Sequence, residues 1–246
     1  MSKIYINESG KKFMFFTNYK VMNSIAGKLL RENFPDIKVF ITPEKILHFD
    51  NHLKIAIVRN PYDRLVSLYF DKCRINPEDL RKRKENLFLQ VNQAQLLAAY
   101  CKKENLVMEI SEPGKTVEIT DDSYRILLKN LEVLEALTFH EFIELVALLF
   151  SEPSMDAHFI PQSTIMTKND TLLIDRYFKL EQIDETWSDI CELLGKEIPL
   201  YWGRGANQTN FEGPERYKRF YSNTLKETVY NLYKIDFDNF SYDKEF

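Results

Sequence analysis

The chain lacks an excess of positive charge. Its formal net charge of −4 at pH 7 argues against a general nucleic-acid or anionic-membrane binder, since either needs a basic surplus, although a local basic pocket stays open. Long hydrophobic runs are missing too. No stretch approaches the roughly 20 apolar residues of a membrane span, and the start, MSKIYINESGKK, has no apolar signal core. Cysteine is scarce: Cys73, Cys101 and Cys191 are odd in number, far apart and in no C-x-x-C pair. That pattern indicates neither a disulfide framework nor a zinc site, and fits reduced thiols in a cytoplasmic protein. Internal repeats, low-complexity tracts and a linker are also lacking, so the 246 residues are expected to form a single soluble domain over 1–246.

What is present centres on residues 54–70, KIAIVRNPYDRLVSLYF. Ile55 to Val58 is a short apolar, β-branched run, as expected of a strand buried on both faces. Tyr62, Leu65, Val66, Tyr69 and Phe70 have the spacing of one helical face. Between them, Asn60 suits an N-cap, Pro61 the first helical position, and Asp63 the positive end of the helix dipole. Arg59 therefore stands at a strand's carboxyl end, the edge where open α/β sheets bind ligands. A cation beside helix-terminal N–H groups makes an anion site.

Phe13 to Thr17 (FMFFT) repeats the layout: a strand, the turn Asn18-Tyr19-Lys20, then a helix from Val21 with Ile25 and Leu29 on one face. Lys20 in the turn and Ser24 in the first helical turns are arranged as in a phosphate loop. The glycine-rich Walker sequence is missing, and a lone Lys in such a turn is ordinarily just solvated. Further strands are expected at 37–42 and 176–180, and a β-hairpin at 106–110 and 116–120 around Glu112-Pro113-Gly114-Lys115. A long helix is expected from Pro77 to Lys103, its RKRKE run (81–85) reading as a solvated face. Other helices are expected at 124–135, at 139–150 behind a Thr138/Glu141 capping box, at 184–194 ending on Gly195, and at 214–242. Residues 155–162 form a shaped loop, because Pro161 forces Ile160 extended. Asp156 and His158, two apart in it, are close enough to share a hydrogen bond.

Taken together, these separated pieces resemble the sulfotransferases that use 3′-phosphoadenosine-5′-phosphosulfate (PAPS), in particular the carbohydrate-type, Golgi-sulfotransferase-like branch, as a soluble bacterial-type member. Arg59-Asn60-Pro61-Tyr62-Asp63-Arg64-Leu65-Val66-Ser67 resembles that family's 3′-phosphate motif. Tyr19 to Ser24 is similar to its 5′-phosphosulfate loop, and Asp156 to Gln162 to its D-x-H-x-x-P-Q element. Phe178 to Glu181, Asn207-Gln208-Thr209 and Tyr233 to Tyr242 match weaker pieces. The order agrees over about residues 12–242. The 5′ loop departs from the pattern: Tyr19 stands where the family usually has Pro, and Met22-Asn23 replaces smaller residues. The resemblance implies a three-layer αβα architecture with a small central parallel sheet, of the P-loop NTPase-like sulfotransferase type, with the nucleotide across the strands' carboxyl ends.

The resemblance also assigns roles. Arg59 and Ser67 would hold the 3′-phosphate, and Lys20, Val21, Met22, Asn23 and Ser24 the 5′-phosphosulfate, with Lys20 as the catalytic cation. No metal is required, because a sulfuryl group carries less charge than a phosphoryl and fixed cations can serve. The acceptor would be a hydroxyl, glycan-like or on a small molecule, with PAP as the other product. A hydroxyl acceptor benefits from a general base near neutral pKa. His158, with Asp156 to orient it, ranks first, against a purely structural tie of its loop; His48 is second, and His52 and His140 have no supporting context. Asn207, Arg216, Lys218 and Arg219 are candidates to cover the nucleotide. Two rival readings stay open: a P-loop-type kinase, which shares the strand–Lys–helix layout, and a non-catalytic nucleotide-binding relative.

Overall fold

Strands β2 (Phe13–Thr17) and β4 (Leu53–Val58) owe their unbroken apolar runs to burial on both faces of a sheet. The structure, a computed structural model, describes residues 3–40, 49–74, 88–116, 122–169, 171–200 and 215–246. Its main sheet has the order β3-β1-β2-β4-β7, where β1 is Lys3–Asn7, β3 Lys38–Phe40 and β7 Arg176–Lys179. β2 pairs with β4, and β4 with β7, in parallel. β1 runs antiparallel to both β2 and β3. The expected all-parallel sheet is therefore a mixed one, with a single reversed strand. The reversal follows from the short turn after β1, where Gly10 takes a positive φ of 66° and lets the chain fold straight back as a hairpin. Two short strands, β5 (Thr167–Lys168) and β6 (Thr171–Leu172), form a separate antiparallel pair.

Successive residues of a strand point to opposite faces, and both faces here are covered. On one, Tyr5, Phe13, Phe15, Ile55 and Ile57 pack with Ala26, Leu29 and Leu30 of helix α1 (Asn23–Asn33) and with Trp187, Ile190 and Leu194 of helix α6 (Ile183–Leu194). On the other, Ile4, Ile6, Met14, Phe16, Ala56 and Val58 meet Met166 and Phe240. Each such aliphatic or aromatic side chain contributes about 1.5–3 kcal/mol by leaving water. Helix α1 lies so close to β1 that a Cβ on Gly27 would run into the Tyr5 hydroxyl, which accepts a hydrogen bond from Arg31 Nη1 at 3.0 Å. Gly27→Ala should thus destabilise the protein by about 1–3 kcal/mol in urea titration through overpacking, outweighing the roughly 1 kcal/mol gain in helix propensity. Adding Tyr5→Phe should recover part of the loss.

The chain forms two compact units. The sheet and its coverings belong to the first, Met1–Arg64, Pro161–Lys218 and Tyr233–Phe246. The second, Leu65–Ile160 and Arg219–Leu232, is helical. Helix α2 (Pro61–Lys72) starts in the first unit and ends in the second. The last helix, α7 (Asn223–Phe240), passes back at Tyr233, where its dihedrals leave the helical range. In the second unit α3 (Val91–Glu104) packs on α4 (Asp122–Ala136) and α5 (Phe139–Leu149). The Thr138/Glu141 capping box is formed as expected.

Three expectations are corrected. The helix expected to run unbroken from Pro77 to Lys103 is interrupted, since residues 88–90 are not helical and a helix starts at Val91 on a Gln90/Gln93 capping box; residues 77–87, the RKRKE run among them, lie outside the described residues. The Pro113-Gly114 turn forms, but no strand occurs over 106–116; residues 117–120 of the second expected strand lie outside the described residues. Buried Asn130 of α4 accepts from Ser111 N at 2.8 Å and donates to Glu109 O at 2.9 Å, so a side chain takes the place of a strand partner. The carboxyl-terminal helix begins at Asn223, after a 3₁₀ turn over Arg216–Phe220. Cys73, Cys101 and Cys191 form no disulfide, and no helix among the described residues is long and apolar enough to cross a membrane.

Candidate active site

In the first unit the parallel pairing of β2, β4 and β7 brings three carboxyl ends to one sheet edge. After β2, the chain turns through Asn18 to Met22. Lys20 and Met22 take left-handed φ values of 60° and 55°, so α1 starts at Asn23 rather than at Val21. Turns of this kind aim successive backbone N–H groups to one side and suit anions. The amino end of α1 carries no side-chain cap and no acidic residue in its first turn, so no carboxylate of that turn answers its dipole. The Val21 and Met22 side chains are buried, so only their backbone can face a ligand. Asn23 is half-buried and Ser24 exposed.

After β4, Asn60 caps α2 as expected, its Oδ1 accepting from Tyr62 N at 2.9 Å, with Pro61 as first helical residue. Arg59 reaches across the edge. Its Nη1 donates to the Lys20 carbonyl at 2.9 Å, and its Nε to Asp63 Oδ2 at 2.7 Å. The two turns singled out in the sequence therefore meet. Charge-assisted bonds of this length fix a guanidinium in one orientation. Beyond β7, Glu181 accepts from Asn60 N at 2.6 Å and from Tyr242 Oη at 3.0 Å. Burial pushes the Glu181 carboxyl up from its ordinary range, and the hydrogen bonds only partly offset it. Lys218 pairs with Glu215 at 2.7 Å; Asn207 and His48 lie outside the described residues.

In the second unit Asp156 Oδ1 accepts from both the backbone N and ring Nδ1 of His158, at 2.9 and 2.6 Å. Donation from Nδ1 puts the ring's basic lone pair on Nε2. Asn92, 2% exposed, brings its Nδ2 within 3.1 Å of the same ring nitrogen. Burial holds the His158 pKa below its ordinary value; Asp156 opposes this and the Lys72 ammonium adds to it. Burial on its own would raise Asp156, but the hydrogen bonds from His158 bring it below the ordinary range. Ser67, 4% exposed, lies in α2. The boundary between the units, at Ile160–Pro161, falls inside the D-x-H-x-x-P-Q element, so His158 belongs to one unit and Gln162 to the other.

The sequence profile of the sulfotransferase family matches residues 4–243. The chain belongs to the sulfotransferase family. It is accordingly a transferase, and its chemistry is sulfuryl transfer to a hydroxyl-bearing acceptor. Among curated proteins and among solved structures, none matches the chain. The match takes in every strand and helix described above save Lys3, the first residue of β1. For a sulfotransferase, the three features that the residues alone did not single out are Gln162, Asp236 and Glu181. Each acts through bonds to residues more than 70 positions away, which leaves no local signal. Only the resemblance covers them, Gln162 in the D-x-H-x-x-P-Q element and Glu181 and Asp236 in the weaker pieces Phe178–Glu181 and Tyr233–Tyr242.

Proposed function

We propose that this family member takes its sulfuryl group from PAPS and transfers it to a hydroxyl of a carbohydrate-like acceptor, as a soluble, bacterial-type, cytoplasmic enzyme of the carbohydrate-type branch with a P-loop-like site in a single domain. The observation that carries the reading is the bond from Arg59 to the Lys20 carbonyl. It joins a cation at one strand end to an anion-binding type of turn at the next, which supports a ligand with more than one anionic group. The donor set fits such a ligand: backbone N–H groups, a guanidinium, an ammonium and hydroxyls, with no acidic residue in the first turn of α1.

In this reading Arg59 and Ser67 bind the 3′-phosphate, while the backbone from Val21 to Asn23 and the Ser24 hydroxyl bind the 5′ side. Lys20 holds positive charge where charge builds up on the leaving group. When bound, PAPS supplies the activated sulfuryl group and departs as PAP. His158 Nε2 takes the proton of the acceptor hydroxyl, with Asp156 fixing the tautomer. Incubation with labelled PAPS and a panel of sugars and small alcohols, without metal, tests the proposal. Label in an acceptor is the expected result. Tight PAP binding with no transfer to any acceptor would favour a non-catalytic relative, and a strict need for ATP and magnesium would favour a kinase.

The pH dependence follows from His158. The imidazole must be neutral to accept a proton, and its pKa lies below the ordinary 6.5. Activity should therefore persist below pH 6.5 and fall as pH drops through the lowered value. Lys72→Met removes an influence that lowers the pKa and should move the acidic limb of kcat upward. Asp156→Asn removes one that raises it and should move the limb downward, with a lower plateau. His158→Ala should reduce kcat by about 10²–10⁴. Unaltered kcat profiles in all three variants would remove His158 from the mechanism.

A further inference from the structure

Arg59 lies one residue beyond β4, where the pairing with β7 ends at Val58. Its backbone is nevertheless held on both sides by one side chain. Gln162 Oε1 accepts from Arg59 N at 3.0 Å, and Gln162 Nε2 donates to Arg59 O at 2.8 Å. An amide group used in this way stands in for a neighbouring strand and extends the ladder by the one residue that carries the guanidinium. The Gln162 carbonyl also accepts from Asn18 Nδ2 at 3.3 Å, so the same residue touches the turn that holds Lys20.

Gln162 is anchored in turn by Asp236 of α7. Oδ2 of Asp236 accepts from Gln162 N at 2.7 Å and from Gln162 Nε2 at 3.4 Å. Oδ1 accepts from Ser163 N at 2.8 Å and from the Ser163 hydroxyl. Gln162, Ser163, Asp236 and Arg64 are each 0% exposed. The Arg64 guanidinium acts on Asp236 electrostatically, as an opposite charge, and donates from Nε to Tyr19 O at 3.4 Å. A buried carboxylate is costly unless its lone pairs are used, and here four donors from two adjacent residues use them. Two of those bonds come from Gln162, the residue that grips Arg59, and two from its neighbour Ser163.

We propose that Asp236, acting through the side-chain amide of Gln162, is a positioning residue for Arg59 and so sets the preference of the site for a nucleotide bearing a 3′-phosphate. The proposal rests on the reading of Arg59 as the 3′-phosphate residue. Removal of the clamp lets the Arg59 backbone drift, and a bidentate guanidinium contact tolerates little drift. The Asn18 bond to the Gln162 carbonyl survives any side-chain change at 162, so the 5′ side of the site keeps its support.

Calorimetric titrations with PAP and with adenosine 5′-phosphate, which lacks the 3′-phosphate, separate the two effects. In Gln162→Met the PAP affinity should fall about tenfold or more, while that for adenosine 5′-phosphate stays within about twofold. Asp236→Asn should act in the same direction, and the double variant should be no worse than Gln162→Met in the ratio of the two affinities. In an Arg59→Ala background, neither change should alter that ratio. Should Gln162→Met fail to fold, Gln162→Asn, a shortened amide that cannot span both Arg59 groups, is read identically. Equal losses for both nucleotides, or an unchanged ratio in a folded variant, would overturn the inference and leave the network a purely structural one. If Arg59→Ala itself leaves the ratio unchanged, the underlying reading of Arg59 fails instead, which separates the two failures.

Discussion

Lys20→Met should lower kcat by about 10²–10³, the usual loss when one preorganised charge or donor is taken from a developing anion. The substitution keeps the length of the side chain and removes only the ammonium. It leaves the Lys20 carbonyl, which accepts from Arg59, and methionine meets the same left-handed backbone at a similar cost. PAP affinity should therefore weaken by no more than about tenfold, equivalent to roughly 1.4 kcal/mol. The split is the diagnostic: large in kcat, small in binding. Comparable losses in both would make Lys20 a binding residue only, and an unchanged kcat would move the catalytic cation elsewhere.

Arg59→Ala should cost even more, on the binding side. Hydrogen bonds to charged groups contribute about 1.5–3 kcal/mol each, so losing a bidentate contact to a phosphate should weaken PAP binding by about 10²–10⁴. Binding of ADP, without a 3′-phosphate, should hardly change. Arg59→Lys should recover only a minor part, because an ammonium cannot reproduce the fork. Some stability should be lost as well. Arg59 holds Asp63 at 2.7 Å with both side chains largely buried, and the alanine leaves a carboxylate in that setting without its partner. Asp63→Asn combined with Arg59→Ala should restore stability without restoring PAP affinity, which a urea titration beside the calorimetry would detect.

The parts of the fold legible in the sequence were those decided by burial and local capping. A strand buried on both faces announces itself by an apolar run, as Ile55–Val58 and Phe13–Phe16 do, and Thr138 with Glu141 or Asn60 with Tyr62 are contacts within one turn. The spacing of Asp156 and His158 likewise decides a bond over two residues. Parallel pairing of β2 with β4 then brings Lys20 and Arg59 together at one edge, which follows from two strand–turn–helix units in the same sheet. What was not legible depends on partners distant in the chain. β1 is a five-residue segment that becomes a strand by pairing on both sides. Residues 106–110 have strand character, but Asn130 claims Glu109 O and the N–H of the following Ser111. The clamp of Gln162 on Arg59 spans 103 positions, and Asp236 looks in the sequence like any acid on a helix. The left-handed Met22 ahead of α1 is equally unmarked, since methionine carries no turn preference.

The most direct measurement is a calorimetric titration of the purified protein with PAP, against ADP, in the absence of metal. The account predicts saturable binding of PAP with at least a tenfold preference over ADP, lost in Arg59→Ala. Equal affinity for the two nucleotides, or a preference that survives Arg59→Ala, would contradict the 3′-phosphate site on which the account rests.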